Sequence, residues 1–274
     1  RRARVARRGA ARRPAGVGAV SRWSEELATR GWTVLPEPLD AVAVASVVRA
    51  LDRLHAEVGE APLSAREDRR VAEDAVVSPV GLTFFGVLGR APELGALLVV
   101  PALVTLLREA LGEALELEQM SGVISDETRP FFFWHSHVGG IDGEDLRLRL
   151  PPPPSRLTRL VCTFYATPLD ERHGVMLVRA RAVGDPLAAP HATRDAPWPD
   201  AEVVRAPAGS ILVLDETTWH AVTAMGAPGR RRARAPARCG PPPPEAFPPR
   251  PARRESPGPR ARAATDPAPR RCAC

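Results

Sequence analysis

The stretch Phe131-Phe-Phe-Trp-His135-Ser-His137-Val-Gly-Gly-Ile-Asp142 carries the strongest signal of fold in the chain. Phe131 to His137 is a β-type run, and residues two apart in a strand face the same way. His135 and His137 therefore both point into the interior of a barrel, which is the geometry a metal needs from adjacent ligands. Gly139 and Gly140 let the chain turn sharply and bring Asp142 back towards the same point. A third imidazole is available at His220, in Asp215-Glu-Thr-Thr-Trp-His220, behind the turn and apolar run Ala206-Pro-Ala-Gly209-Ser-Ile-Leu-Val-Leu. Two or three imidazoles, one carboxylate and vacant positions suit non-haem Fe(II) oxygen chemistry. A lone strand histidine is ordinarily a hydrogen-bonded core or surface residue. What favours a metal here is that two of the six His stand at same-face spacing beside a double glycine and an acid. His55 (on a helix), His173 (in a turn) and His191 (in a loop) read as structural, Asp126, Glu144 and Asp145 as solvated, and Phe131 to Trp134 as core.

The same period of two recurs on both sides of this stretch. Leu115 to Ser125, Leu157 to Thr167, Val175 to Ala180, Glu202 to Ala206, Ser210 to Leu214 and Thr218 to Thr223 are short β-type runs separated by Gly, Pro and Asp clusters. The pattern before them is helical. Trp23 to Gly31 reads as a helix with Ser24 as its N-cap and Gly31 as its stop, followed by a brief strand at Trp32 to Pro36. Asp40 caps a second helix whose apolar positions Val44, Val47, Val48, Leu51 and Leu54 recur at helical spacing. Pro101 opens a helix that Gly112 ends, while residues 59–78 read as a loop with some helix. Helices first and some seven strands afterwards describe a mostly β fold with flanking, mainly N-terminal helices: a double-stranded β-helix, or jelly-roll and cupin-like barrel.

Charge divides the chain in three. All 38 basic residues are Arg, and the net charge of +6 arises because residues 1–22 carry eight Arg and no acid, and residues 230–274 twelve Arg against three acids. The middle carries 18 Arg and 29 acids. An acidic middle does not support a nucleic-acid footprint on the fold. The expected organisation is a basic head at 1–22, one domain at 23–232 and an Arg/Pro-rich tail at 233–274, with nothing strand-like after Arg232. Both ends read as disordered, or as sequence outside the natural reading frame, rather than as nucleic-acid-binding arms. Cys162 and the tail cysteines Cys239, Cys272 and Cys274 form neither a disulfide framework nor a zinc spacing, which fits a reducing, cytoplasmic compartment. The longest apolar run, Leu94 to Leu107, contains Pro101 and is too short to span a bilayer, so no membrane partner is expected.

From about Trp23 to Arg231 the chain resembles the phytanoyl-CoA dioxygenase-like Fe(II)/2-oxoglutarate oxygenases. Leu27-Ala-Thr-Arg-Gly-Trp-Thr-Val-Leu-Pro is similar to that family's opening helix and strand, and Leu103 to Gly112 to its helix before the barrel. Trp134-His135 sits where the family has its first metal histidine. Asp170-Glu-Arg-His-Gly174 is similar to its middle hairpin, and Pro207-Ala-Gly209 to Trp219-His220 to the segment with the distal metal histidine. The resemblance implies Fe(II) held by His135, Asp142 and His220, with 2-oxoglutarate as cosubstrate and its far carboxylate clamped by Arg231. Arg230 and Arg232 stand beside it. A guanidinium clamps a carboxylate through two parallel hydrogen bonds.

The family's His-x-Asp is here His135-Ser136-His137. Three ligand sets stay open: Asp142 supplies the carboxylate, the site is three-histidine, or the pair is His137 with Asp142. The His-x-His-then-acid pattern also resembles the first cupin motif. The implied function is a dioxygenase that hydroxylates a small or medium organic substrate. The alternatives are a cupin-type metalloprotein that does not use 2-oxoglutarate, and a non-catalytic barrel. Loops 59–90 and 181–200 are expected to set the substrate.

Overall fold

A computed structural model describes residues 21–36, 38–138 and 153–240. Most of the basic head, the tail beyond Gly240 and Asp142 with its neighbours Glu144 and Asp145 lie outside the described residues.

The first helix, α1 (Arg22–Arg30), is capped three residues earlier than its sequence suggests: Ser21 and not Ser24 is the N-cap, and its side chain accepts from the Ser24 N–H. Gly31 ends it with φ 75°, and a Cβ there would lie 2.3 Å from the Thr218 hydroxyl oxygen, so only glycine fits. Strand β1 (Trp32–Leu35) follows, then α2 (Ala41–Glu57), capped by Asp40 through the Ala43 N–H. Val47, Ala50, Leu51 and Leu54 form the buried stripe of α2.

Residues 59–78 depart from expectation. The segment runs into an antiparallel meander, β2 (Arg69–Ala72), β3 (Ala75–Ser78) and β4 (Gly81–Phe84). Its polar residues hid the alternation: Val76 and Thr83 face one side, while Ala75, Val77, Leu82 and Phe84 enter the core on the other. Two short 3-10 segments, Val87–Gly89 and Pro92–Val99, lead to α3 (Pro101–Leu111), which starts on a proline and stops at Gly112 as its sequence indicates. No single helix among the described residues is long and apolar enough to cross a membrane.

The remaining strands are β5 (Glu116–Met120), β6 (Gly122–Asp126), β7 (Phe132–His135), β8 (Leu160–Tyr165), β9 (Met176–Val178), β10 (Glu202–Val204), β11 (Ile211–Asp215), β12 (His220–Val222) and β13 (Arg230–Gly240). They form two sheets. The larger has the order β1-β11-β8-β13-β6-β4-β3-β2, with β5 also on β13; the smaller has the order β10-β9-β12-β7. This is a double-stranded β-helix with helices packed outside the larger sheet. Leu51, Leu54, Leu103, Phe84 and Phe164 share the core between helices and sheet. Val161, Tyr165, Met176 and Leu212 fill the space between the two sheets.

The end of the domain needs correction. Arg232 does not close it: β13 continues to Gly240 and is a central strand, paired with β8 along one edge and with β6 and then β5 along the other. Arg/Ala/Pro-rich sequence has low strand propensity, but a segment flanked by two open edges gains a full ladder of backbone hydrogen bonds. Pro236 is tolerated because the β8 register shifts between Ala233 and Pro236. The barrel thus has no exposed edge at β8 or β6.

A chain ending at Gly229 should lose the cooperative melting transition, since β8, β6 and β5 would all lose their partner. A chain ending at Gly240 should melt at the full-length temperature, because the sequence beyond it is Pro- and Arg-rich. Circular dichroism on both truncations checks this. Full-length stability in the Gly229 chain would show that β13 is dispensable.

Candidate metal centre

The site is built on the smaller sheet. Strands β7 and β12 pair antiparallel with His135 directly opposite His220, and β9 flanks β12 on its other side. A direct cross-strand pair puts both side chains on one face, and the two rings lie 4.1 Å apart between centroids. His137 follows β7 and comes within 5.0 Å of His220 and 5.4 Å of His135. One ring nitrogen from each of His135, His137 and His220 lies within 4.8 Å of the others. His220 is fully buried and the other two are half-buried.

Two of the rings have their tautomer set by the backbone. His135 Nδ1 donates to the Phe133 carbonyl at 2.9 Å, and His220 Nδ1 donates to the Thr218 carbonyl at 2.9 Å. With the proton held at Nδ1, the lone pair is at Nε2, the form in which histidine binds a metal.

Alternation also explains why a tryptophan precedes each strand histidine. Trp134 and Trp219 face away from the interior, where Trp198 stacks on Trp134 at 4.1 Å and 4° and meets Trp219 at 5.8 Å. All three indoles are buried, and their N–H groups donate to the Ala196, Leu187 and Thr193 carbonyls. The segment 181–200, expected to set the substrate, instead supplies this packing behind the sheet.

The turn Asp215 to Trp219 aims His220 and holds His137. Asp215 accepts from the Thr217 hydroxyl at 2.5 Å and pairs with Arg181 at 3.3 Å, while Thr218 donates to the Gly31 carbonyl. Burial raises the Asp215 carboxyl above its ordinary value against the opposing Thr217 hydrogen bonds and Arg181 charge, and burial lowers Arg181 despite Asp215. Desolvation thus outweighs attraction for both partners, so the pair fixes geometry rather than adding net stability. The next residue, Glu216, accepts the His137 N–H at 2.8 Å through its carbonyl and the Arg159 guanidinium at 2.9 Å through its carboxylate. Nothing in the sequence around Glu216 pointed to this latch.

The other histidines are elsewhere and have local partners. His55 bonds the Ala61 carbonyl at 2.8 Å, His173 bonds Asp170 at 2.7 Å, and His191 bonds Asp200 at 2.9 Å. Asp126, expected to be solvated, caps a turn by accepting from the Thr128 N–H and hydroxyl. Asp142 falls outside the described residues. Arg230 and Arg231 are placed by backbone register alone, opposite Asp126 and Ser125 respectively. Ile124 belongs to the helix-side core, whereas Ser121 and Val123 face the space between the sheets. By alternation, Ser125 falls on that interior face, and Arg231 is its register partner.

A cavity of about 390 Å³ opens beside His135 and His137. Phe132 and Phe133 line it, against their expected role as core; Ser78, Thr83, Gln119 and Ser121 line it from the larger sheet. Of the two loops expected to set the substrate, only 59–90 reaches it. The donor set fits a mononuclear metal. Two nitrogens bonded at about 2.0–2.1 Å and at right angles lie roughly 3 Å apart, so side-chain adjustments of 1–2 Å close the cluster. Among the described residues no carboxylate joins it.

No protein-family model matches the sequence, and no curated protein matches it. Solved structures do match in fold. The non-heme alpha ketoglutarate dependent epimerase SnoN from nogalamycin biosynthesis aligns with a TM-score of 0.58 at 16% identity, covering 81% of each chain. HygX from Streptomyces hygroscopicus, solved with nickel and 2-oxoglutarate bound, aligns at 0.58 and 16%, covering 81% of this chain and 88% of its own. EctD from S. alaskensis, solved with 2-oxoglutarate and 5-hydroxyectoine, aligns at 0.57 and 16%, covering 81% and 76%. At such identities the likeness establishes the double-stranded β-helix.

Replacing His135, His137 or His220 singly with Ala should abolish stoichiometric metal retention after anaerobic loading with Fe(II) and desalting. Replacing His173 or His191 should leave it intact. Metal analysis of the five variants is the check; equal loss across all five would contradict the assignment.

Proposed function

We propose that this chain is an Fe(II)/2-oxoglutarate-dependent dioxygenase that hydroxylates a small or medium organic substrate. The observation that carries this is the convergence of His135, His137 and His220, with His135 and His137 lining a cavity in this fold. The resemblance of Trp134-His135 and Trp219-His220 to phytanoyl-CoA dioxygenase-like motifs supports it, as do the nickel, Fe3+ and 2-oxoglutarate bound by the matching structures. His135, His137 and His220 would hold the iron, with Asp142 as the carboxylate if the loop after His137 returns it to the site. Bound there, iron supplies the redox couple through which dioxygen oxidises 2-oxoglutarate to succinate and carbon dioxide while a substrate C–H bond is hydroxylated.

The protein's own part is binding, orientation and exclusion of water. The Phe133 and Thr218 carbonyls hold protons on Nδ1 of His135 and His220, so these imidazoles present Nε2 without rotating. The buried Trp134, Trp198 and Trp219 keep the two strands from shifting along one another. The register of Arg231 opposite Ser125 supports its role as partner of the far carboxylate of 2-oxoglutarate, with Arg230 beside it. Phe132 and Phe133 line the cavity in ring contact with His135 and give that end of it an apolar wall. The free buried thiols of Cys162 and Cys239 suit a reducing, cytoplasmic compartment. A second reading, a cupin-type metalloprotein without a cosubstrate, is favoured by His137 standing two residues after His135, which matches the His-x-His of the first cupin motif rather than His-x-Asp.

Arg231→Met separates the two. In the dioxygenase it should weaken 2-oxoglutarate binding to the Fe(II)-loaded protein by about 1.5–3 kcal/mol, the value of a charge-assisted hydrogen bond, and leave iron retention unchanged. Anaerobic calorimetric titration of the wild type, Arg231→Met, Arg230→Met and Arg232→Met is the measurement. No binding of 2-oxoglutarate to the wild type would overturn the dioxygenase reading.

A further inference from the structure

The cavity does not end at the histidines. Its wall continues along β4 and β3 to the segment that enters β2, the outermost strand of the larger sheet, and there it is lined by Arg66 and Asp68. Neither side chain takes part in an ion pair or hydrogen bond among the described residues, whereas Arg30, Arg53, Arg90, Arg159, Arg179 and Arg205 are each matched by an acid.

The backbone that carries this pair of charges is anchored on both sides. Ser64 hydrogen-bonds Thr128 at 2.6 Å, and the Ala65 N–H donates to the Ser78 carbonyl. Thr128 in turn donates to Asp126, and β2 begins at Arg69. Arg66 and Asp68 are thus presented from a fixed segment, one cation and one anion two residues apart, facing a shared space.

Elsewhere the lining changes character. Phe85, Phe132 and Phe133 offer aromatic surface, and Phe133 is 40% exposed although it lies beside His135. An exposed phenyl group in a cavity gains free energy by covering, at roughly 25 cal/mol per Å². A volume of about 390 Å³ lies within the usual range for small-molecule sites.

We propose that the cavity takes a zwitterionic organic substrate. Arg66 holds its carboxylate and Asp68 its ammonium group, and its apolar portion packs on Phe85, Phe132 and Phe133 with the reacting carbon towards the three histidines. This rests on the dioxygenase reading for what happens to the substrate, but not for how the substrate is bound. Opposite charges at the two positions select against molecules that carry only one of them, because the unmatched partner would be partly desolvated without compensation.

The test uses three probes with a common phenyl group: L-phenylalanine with both charges, 3-phenylpropanoate with the carboxylate alone, and 2-phenylethylammonium with the amine alone. Calorimetric titration into the full-length protein should give the tightest binding for L-phenylalanine. Arg66→Ala should weaken L-phenylalanine and 3-phenylpropanoate by roughly 5- to 20-fold, as for a partly exposed charged contact, and leave 2-phenylethylammonium unchanged. Asp68→Asn should weaken L-phenylalanine and 2-phenylethylammonium instead. Both residues are exposed, so both variants should fold with the wild-type melting temperature. Failure of every probe to bind the wild type, equal affinity for all three, or variants that lose no discrimination would overturn the proposal. So would loss of 2-oxoglutarate affinity in Arg66→Ala, since Arg66 would then serve the cosubstrate. Metal and 2-oxoglutarate titrations of the wild type report separately on the dioxygenase reading, whose failure would leave the probe pattern intact.

Discussion

The registry of β7 against β12 is the constraint on which the rest of the molecule depends. A strand changes face at every residue, so a slip of one position would send His135 or His220 out to the tryptophan side and bring an indole into the cavity. The pairing of His135 with His220 is therefore either right or useless, and several independent contacts hold it. Stacked Trp134 and Trp198 with Trp219 grip both strands from behind. The Asp215 turn, bound to Arg181 and to the Gly31 carbonyl, fixes where β12 begins. Gly31 itself has room for no side chain, so the first helix and the metal-bearing turn are locked at closest approach.

The larger sheet does a different job. It is the surface against which the helices bury their apolar stripes, and its interior face supplies the far wall of the cavity. Strand β13 joins the two halves of this sheet, because it closes the gap between β8 and β6 and places Arg231 in register with Ser125. A sheet with that strand missing would present two open edges.

How much of this was legible in the sequence follows from which interactions are local. The alternation of Trp134-His135-Ser136-His137 and the Trp219-His220 step announced both the face of the barrel and the histidines that converge on it, because period two is a backbone property that needs no partner to be read. The caps at Asp40, Pro101 and Gly112 were visible for the same reason. What escaped was set by tertiary pairing. Arg230 to Gly240 has the composition of a disordered tail and becomes a strand only because two edges await it. Residues 69–84 alternate too, but polar neighbours and short runs hid the meander that makes the cavity wall. Glu216 holds His137 through a backbone carbonyl, which no side-chain pattern can reveal. Segment 181–200 looked like a substrate loop because it is long and irregular, and its use as packing behind the sheet depends on Trp198 finding Trp134.

The central claim is that the three imidazoles bind one metal ion beside the cavity. Anomalous diffraction at the iron edge, from crystals of the Fe(II)-loaded protein grown without oxygen, tests it most directly. The account predicts a single peak about 2–2.3 Å from Nε2 of both His135 and His220, with a His137 nitrogen or the Asp142 carboxylate as a further ligand. Iron absent from that point, or held at a surface pair such as His191 with Asp200, would contradict it.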